Sequence, residues 1–269
     1  PDPGEPAFAG RPSAGIPPHH RGFGLLEGRR PGGQRTALQR AVYGTGSAGL
    51  GLHFLYENRF SEVLSLVAYT GIGQSDVTFT ISPELTTNGM LPKAWRFIEG
   101  KGIYLYKGGT FGAANAGNEP YSEFYASQVA QAMGLNAVSY ELENWKGILA
   151  SRCKLFTDID TSYIPIGRIV REGGLKACLD YYEKLGPEAY EQIKSMLVFD
   201  AVIYNEDRHF GNFGVLRDNH SGAVIGAAPI FDNGLSLFNF AMPEDFKDLD
   251  NYAKTRGTPY GIRFETVCR

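Results

Sequence analysis

Residues 187–204 carry the strongest helical pattern in the chain, and that pattern runs straight into Asp207-Arg-His209-Phe-Gly-Asn212. A hairpin pattern follows at 213–216 and 223–230, turned by Asp218-Asn-His-Ser-Gly222, and its second strand ends on Phe231-Asp232. This helix–loop–hairpin–Asp unit constrains the fold more than any other feature. It brings two carboxylates and a carboxamide to the ends of regular elements, where loop residues held by a scaffold can do chemistry. Asp207 and Asn212, five apart on an irregular loop, can face one cavity while His209 braces the loop from within. Asp200, one helical stretch earlier, reads as a structural anchor for that loop. Such a set suits phosphoryl transfer. A base Asp orients a hydroxyl, and an Asn and a second Asp hold Mg²⁺ against nucleotide phosphates. Positioning and charge neutralisation then do most of the catalysis.

The preceding part of the chain has a different texture. Residues 60–69 read as a short helix, and 75–82 alternate and are β-branched, which suits a strand. Residues 83–92 form a turn-rich loop containing Asn88-Gly89, and 94–98 and 102–107 continue the meander through Glu99-Gly100. After Lys107 comes a glycine-rich stretch, 108–117. A helix is then expected over 119–133, with Asn118 as its N-cap and Gly134 as its stop. Its apolar stripe, Tyr121, Phe124, Tyr125, Val129, Ala132 and Met133, is expected to be core, and Glu119 and Glu123 share another edge. Strands at 137–142 and 147–156 follow, and beyond Thr157-Asp158 the pattern becomes helical at 175–185 and 187–204. The second helix has Pro187 in its first turn. Its apolar residues are Tyr190, Ile193, Met196, Leu197, Val198, Ala201 and Ile203.

This order predicts an α+β, two-lobed fold, with a small antiparallel sheet lobe at 48–157 and a mainly helical lobe at 158–269. Residues 1–47 are rich in Gly, Pro and Arg, contain no Lys and hold six Arg against three acids. They read as a disordered or atypical leader. The net charge of −3 gives no reason to expect direct nucleic-acid binding. Three scattered cysteines, Cys153, Cys178 and Cys268, lack metal-ligand spacing and suit a reducing, cytoplasmic setting. No run of about 18 apolar residues is present to cross a bilayer.

The pattern Asp207-x-His209-x-x-Asn212, a hairpin, then Pro229-x-Phe231-Asp232 resembles the catalytic and metal-binding segments of HipA-like serine/threonine kinases. Phosphoinositide-kinase-type enzymes share the short pattern. Trp95, Tyr104-Leu-Tyr-Lys107-Gly-Gly, Asn118-Glu-Pro-Tyr-Ser-Glu123 and Ser151-x-Cys153-Lys-x-Phe156 favour the HipA-like family. The likeness runs over roughly residues 56–240. It implies ATP and Mg²⁺ as cofactors, Asp207 as catalytic base within the loop of His209 and Asn212, and Asn212 with Asp232 as metal ligands. It further implies Lys107 on the ATP phosphates, with Glu123 (or Glu119) as its partner. The hinge would be 154–157, with Lys154 and Phe156 at the adenine edge, and the loop tip 86–89, with Thr87 and Gly89 and with Lys93 behind it, would cover the phosphates. The implied partners are a protein Ser or Thr acceptor and, for a toxin–antitoxin kinase, a small DNA-binding antitoxin. The 37 residues after Asp232 imply a shortened helical lobe or a truncated chain. A nucleotide-binding pseudokinase, and a kinase-fold enzyme that moves AMP or acts on a small molecule, stay open beside the protein kinase.

Overall fold

Lys146 and Gly147 both adopt positive φ, 54° and 81°, and form a two-residue reversal of the kind that matches strand twist. They join β3 (Tyr140–Trp145) to β4 (Ile148–Lys154), with Trp145 opposite Ile148. The computed structural model describes residues 65, 66, 69, 91–112 and 116–255, the last three as backbone only. They belong to one compact unit spanning 35–269. The expected leader, the strand at 75–82 and the loop tip with Thr87 and Gly89 lie outside the described residues.

β1 (Lys93–Ile98) and β2 (Gly102–Gly108) pair antiparallel, and β2 pairs with β4, so the first sheet runs β1-β2-β4-β3. Alternation along each strand gives this sheet two chemically distinct faces. On one face Ala94, Tyr106, Trp145 and Ala150 pack with Tyr69, which is helical, as are Ser65 and Leu66. Arg152 bonds Glu141, Glu143 and Tyr106 at that face, and the Arg96 guanidinium lies over the Trp145 ring. The opposite face carries Trp95 beside Leu105, Leu105 beside Cys153, and Cys153 beside Tyr140.

α1 (Glu119–Ala132) packs on that second face, and it does so with the side that the sequence pattern left unassigned. The buried residues are Glu119, Pro120, Ser122, Glu123, Ala126, Ser127 and Ala130. Tyr121, Tyr125 and Met133 of the expected apolar stripe are exposed, at 43%, 54% and 38%. The inversion has a physical cause. Small side chains bring the helix close to the sheet, Ser127 Oγ accepts the Tyr140 N–H (3.3 Å), and Glu123 needs that approach to reach its cation. Asn118 precedes the helix, but its side chain makes no capping bond.

In the second lobe α2 (Gly174–Leu185) and α3 (Pro187–Val202) pack around Cys178, Tyr182, Ile193, Met196 and Phe199. Val198, placed in the α3 stripe from sequence, is 58% exposed, while Phe199 is fully buried. A second antiparallel sheet runs β5-β6-β7, made of β5 (Thr161–Pro165), β6 (Gly214–Asp218) and β7 (Val224–Ala227). The hairpin β6–β7 matches the sequence expectation, with a register irregularity at Leu216/Arg217. β5 was not anticipated, because its partner is about fifty residues away and no local pattern reveals that pairing. Gly214 is required where they cross: a Cβ there would meet the Ile164 carbonyl oxygen at 2.0 Å. α4 (Leu249–Thr255) closes the described chain.

Candidate active site

Lys107 is the penultimate residue of β2 and is 4% exposed. Its ammonium donates to Glu123 Oε1 on α1 and to Asp232 Oδ1 beyond β7, the latter at 2.5 Å. Glu123, not Glu119, is therefore the partner of Lys107. Glu119 accepts the Thr110 N–H instead (3.1 Å). Burial disfavours the Lys107 cation, but the Asp232 and Glu123 carboxylates outweigh it and hold its pKa above the ordinary lysine range. Burial likewise opposes the Asp232 anion, and the Lys107 charge and hydrogen bond reverse the balance, so Asp232 lies below the usual carboxylate range. Burial pushes Glu123 up, with Lys107 opposing.

Asp232 sits at φ 59°, in the left-handed region, which Asp enters more readily than most residues. Contacts from both lobes hold it there. Its N–H donates to the Tyr140 hydroxyl (3.2 Å), and the next N–H, of Asn233, donates to Glu123 Oε2 (3.0 Å). Arg208, fully buried, supports the same segment from below, donating to the Phe231 carbonyl and to Asn233 Oδ1, each at 2.5 Å.

Arg208 also organises the loop between α3 and β6. Its Nε and Nη2 bond both oxygens of Asp200, at 3.0 and 2.9 Å, and its Nη1 donates to the Asn212 carbonyl (3.1 Å). Asp200 further accepts from Asn205 Nδ2 (2.9 Å), and Asn205 Oδ1 receives the Asp207 N–H (3.1 Å). Asp200 is thus the anchor expected of it. Arg208 is the residue that sequence reading passed over. The signal was there, since an arginine flanked by loop residues and following a helical Asp needs a partner if it is buried. His209 braces the loop as expected, its Nδ1 accepting the Gly211 N–H (3.0 Å). A Cβ at Gly211 would meet His209 Cε1 at 2.7 Å, so a side chain there would have to push the imidazole aside.

With Arg208 turned inward, Asp207 and His209 on either side of it are exposed. Burial of its carboxyl raises the Asp207 pKa, with the charge of Asp232 adding to the rise and His209 opposing it. Asn212 donates its amide N–H to the Asp207 carbonyl (3.2 Å). Lys107, Asp207, His209, Asn212 and Asp232 all line one cavity of about 900 Å³. The connector residues Lys154 and Phe156 line it too. Phe156, Tyr163 and Phe231 form an aromatic wall, with ring centroids 5.2–5.8 Å apart. Cys153 opens onto the cavity as a protonated thiol, its pKa pushed up to about 12 by burial and then by Glu123.

The donor set fits a hard divalent cation. Asp232 is held ionised, Asn212 offers a neutral oxygen on the same cavity, and Mg²⁺ takes one or two protein oxygens with the rest from phosphate and water. Among the described residues no group of three His, Cys, Asp or Glu could hold a metal by itself.

No family model matches the chain, and no curated protein matches it. Eleven chains among solved structures do. One is the crystal structure of a Helicobacter pylori proinflammatory kinase, CtkA, similar at 23% identity with a TM-score of 0.49. The alignment covers 60% of this chain and 62% of that one, so the chain spans less than two thirds of its length. Among the described residues no helix is long and apolar enough to cross a membrane.

Proposed function

We propose that the chain is an ATP- and Mg²⁺-dependent phosphotransferase of the HipA-like kinase type, acting on a protein Ser or Thr. One observation carries the reading: a buried Lys107 bridged to Glu123 and Asp232 shares a cavity with Asp207 and Asn212. The cavity has an apolar end of Leu105, Val138, Phe156 and Phe231, suited to a base, and a charged end suited to phosphates.

In this reading Lys107 grips the nucleotide phosphates and Glu123 fixes its position. Asn212 and Asp232 would hold Mg²⁺, whose charge would neutralise the phosphates. Asp207 orients the acceptor hydroxyl and takes its proton as the hydroxyl oxygen bonds to the terminal phosphorus. The bond from that phosphorus to the bridging oxygen breaks, and ADP departs. A raised pKa suits Asp207 to that proton transfer. His209 holds the loop shape rather than reacting. The choice of protein acceptor, and of a small DNA-binding antitoxin as partner, follows from the sequence resemblance alone.

The test is transfer of labelled phosphate from ATP, read with intact-mass analysis. The parent is expected to gain or deliver about 80 Da per phosphate and not the roughly 329 Da of an adenylate. Asp207→Ala and Asp232→Ala are expected to abolish transfer, and labelling by both at the parent rate would refute the reading. Mg²⁺-ATP binding without any transfer would favour the pseudokinase instead.

A further inference from the structure

Segment 136–140, which follows α1, meets the segment leading from β7 to Asp232 at a single parallel bridge, Ala137 with Ile230. Two backbone bonds make the bridge: the Ile230 N–H donates to the Asn136 carbonyl (2.9 Å), and the Val138 N–H to the Ile230 carbonyl (2.8 Å). A parallel ladder extended from there would use the Asp232 N–H on the Val138 carbonyl and the Tyr140 N–H on the Asp232 carbonyl. Among the described residues neither of those bonds forms, and a side-chain hydroxyl stands in for each acceptor. The Tyr140 N–H donates to Ser127 Oγ (3.3 Å), and the Asp232 N–H donates to the Tyr140 hydroxyl (3.2 Å). The ladder stops where Asp232 enters the left-handed region, at φ 59°. Tyr140 is 3% exposed, and the Lys107 ammonium lies 6.0 Å from its ring centroid. Burial, and then the Glu123 charge, raises the Tyr140 pKa well above the ordinary tyrosine range, so the phenol stays neutral. A buried backbone N–H left without an acceptor is costly, so an Asp232 that lost this hydroxyl would be drawn back toward the Val138 carbonyl. That return needs an extended φ, which would re-aim the carboxylate.

We propose that Tyr140 is a positioning residue for Asp232 as metal ligand: its hydroxyl accepts the amide that the ladder gives up and keeps the Asp232 carboxylate on the cavity wall. The proposal rests on the phosphotransferase reading, in which Asp232 holds Mg²⁺, and adds to it a residue that acts through Asp232. The first sheet thereby sets the metal site through one side chain, since Tyr140 opens β3 and stands opposite Cys153 in the register.

The test is calorimetric binding of ATP, with and without Mg²⁺, to the full chain, to Tyr140→Phe, to Asp232→Asn and to the double variant. Tyr140→Phe keeps the ring and its packing and removes only the acceptor, so it is expected to stay folded by circular dichroism. It is expected to cut the tightening of ATP binding by Mg²⁺ roughly five- to tenfold, the scale of one hydrogen bond, and to leave Mg²⁺-free ATP binding unchanged. Because Tyr140 acts through Asp232, the double variant is expected to bind no more weakly than Asp232→Asn alone. Equal weakening with and without Mg²⁺, or losses that add in the double variant, would overturn the proposal. So would a Tyr140→Phe variant that responds to Mg²⁺ as the parent does, or one that fails to fold, which would make the hydroxyl part of the scaffold. A parent chain that binds no ATP, or binds it without regard to Mg²⁺, would instead remove the phosphotransferase reading beneath it.

Discussion

Two buried charge clusters meet on the three residues Phe231, Asp232 and Asn233, and they differ in what lies beyond them. The Lys107–Glu123 cluster takes Asp232 by its side chain and Asn233 by its N–H, and it opens onto the cavity. The Arg208–Asp200 cluster takes Phe231 by its carbonyl and Asn233 by its side chain, and both of its charged residues are sealed, at 0% and 1% exposure. Arg208 spends its donors on Asp200, two carbonyls and a carboxamide, so it has little left to offer a ligand. Lys107 is bonded to two acids, of which Glu123 is sealed and Asp232 lines the cavity. The lesson is that burial of charge alone does not mark chemistry. What separates the two clusters is that one of them has a charged pair, Lys107 and Asp232, on the wall of a cavity.

This contrast breaks most visibly in kinetics. Asp207→Ala should lower phosphate transfer on the order of 10²–10⁴-fold, the usual contribution of a positioned base, while its melting temperature stays close to the parent. A variant that transfers normally would place the chemistry elsewhere. The sealed cluster should answer in the opposite currency. Arg208→Met leaves the Asp200 charge buried without its guanidinium, and it should cost about 3–5 kcal/mol of stability by chemical denaturation. An unchanged denaturation midpoint would show that the sealed cluster does not hold the loop.

The pH dependence sharpens the same distinction. Asp207 has a raised pKa, so it keeps its proton to a higher pH than a free Asp, and catalysis should fall on acidification at a pH above 3.8. Asp232, with its pKa lowered, stays ionised through that range and should not produce the limb. The linkage signs differ too. A depressed carboxylate such as Asp232 contributes stability above its unfolded pKa, lost as pH falls through the folded value, whereas ionising Asp207 in the folded state costs stability as pH rises. Asp207→Asn should therefore melt slightly higher than the parent at neutral pH. An acid limb at or below 3.8, or a lower melting temperature, would contradict the assignment. The smallest effect is expected at the face of α1 that carries Tyr121 and Tyr125. Both are exposed, and Tyr121→Ser or Tyr125→Ser should shift stability by no more than about 0.5 kcal/mol.

Local chemistry made much of this architecture legible from sequence. Glu99-Gly100, Gly134 and Pro187 punctuate their elements where expected, and the hairpin after Asn212 announces itself by its turn residues. The α1 face was misread because periodicity counts apolar side chains, while the packing there is decided by small residues and one ion pair. β5 stayed hidden because strand pairing across about fifty residues has no local signature. That Asp207, Asn212 and Asp232 reach one cavity was legible because their spacing is tied to a loop and a hairpin. Arg208, Tyr140 and Asn233 were not, since their roles arise only when distant segments close around Asp232.

The most direct measurement is calorimetric titration of the full chain with ATP, with and without Mg²⁺, repeated on Asp232→Asn. The account predicts that Mg²⁺ tightens ATP binding to the parent and that Asp232→Asn loses this tightening while remaining folded. ATP binding that is indifferent to Mg²⁺, or an Asp232→Asn variant that responds to Mg²⁺ as the parent does, would contradict it.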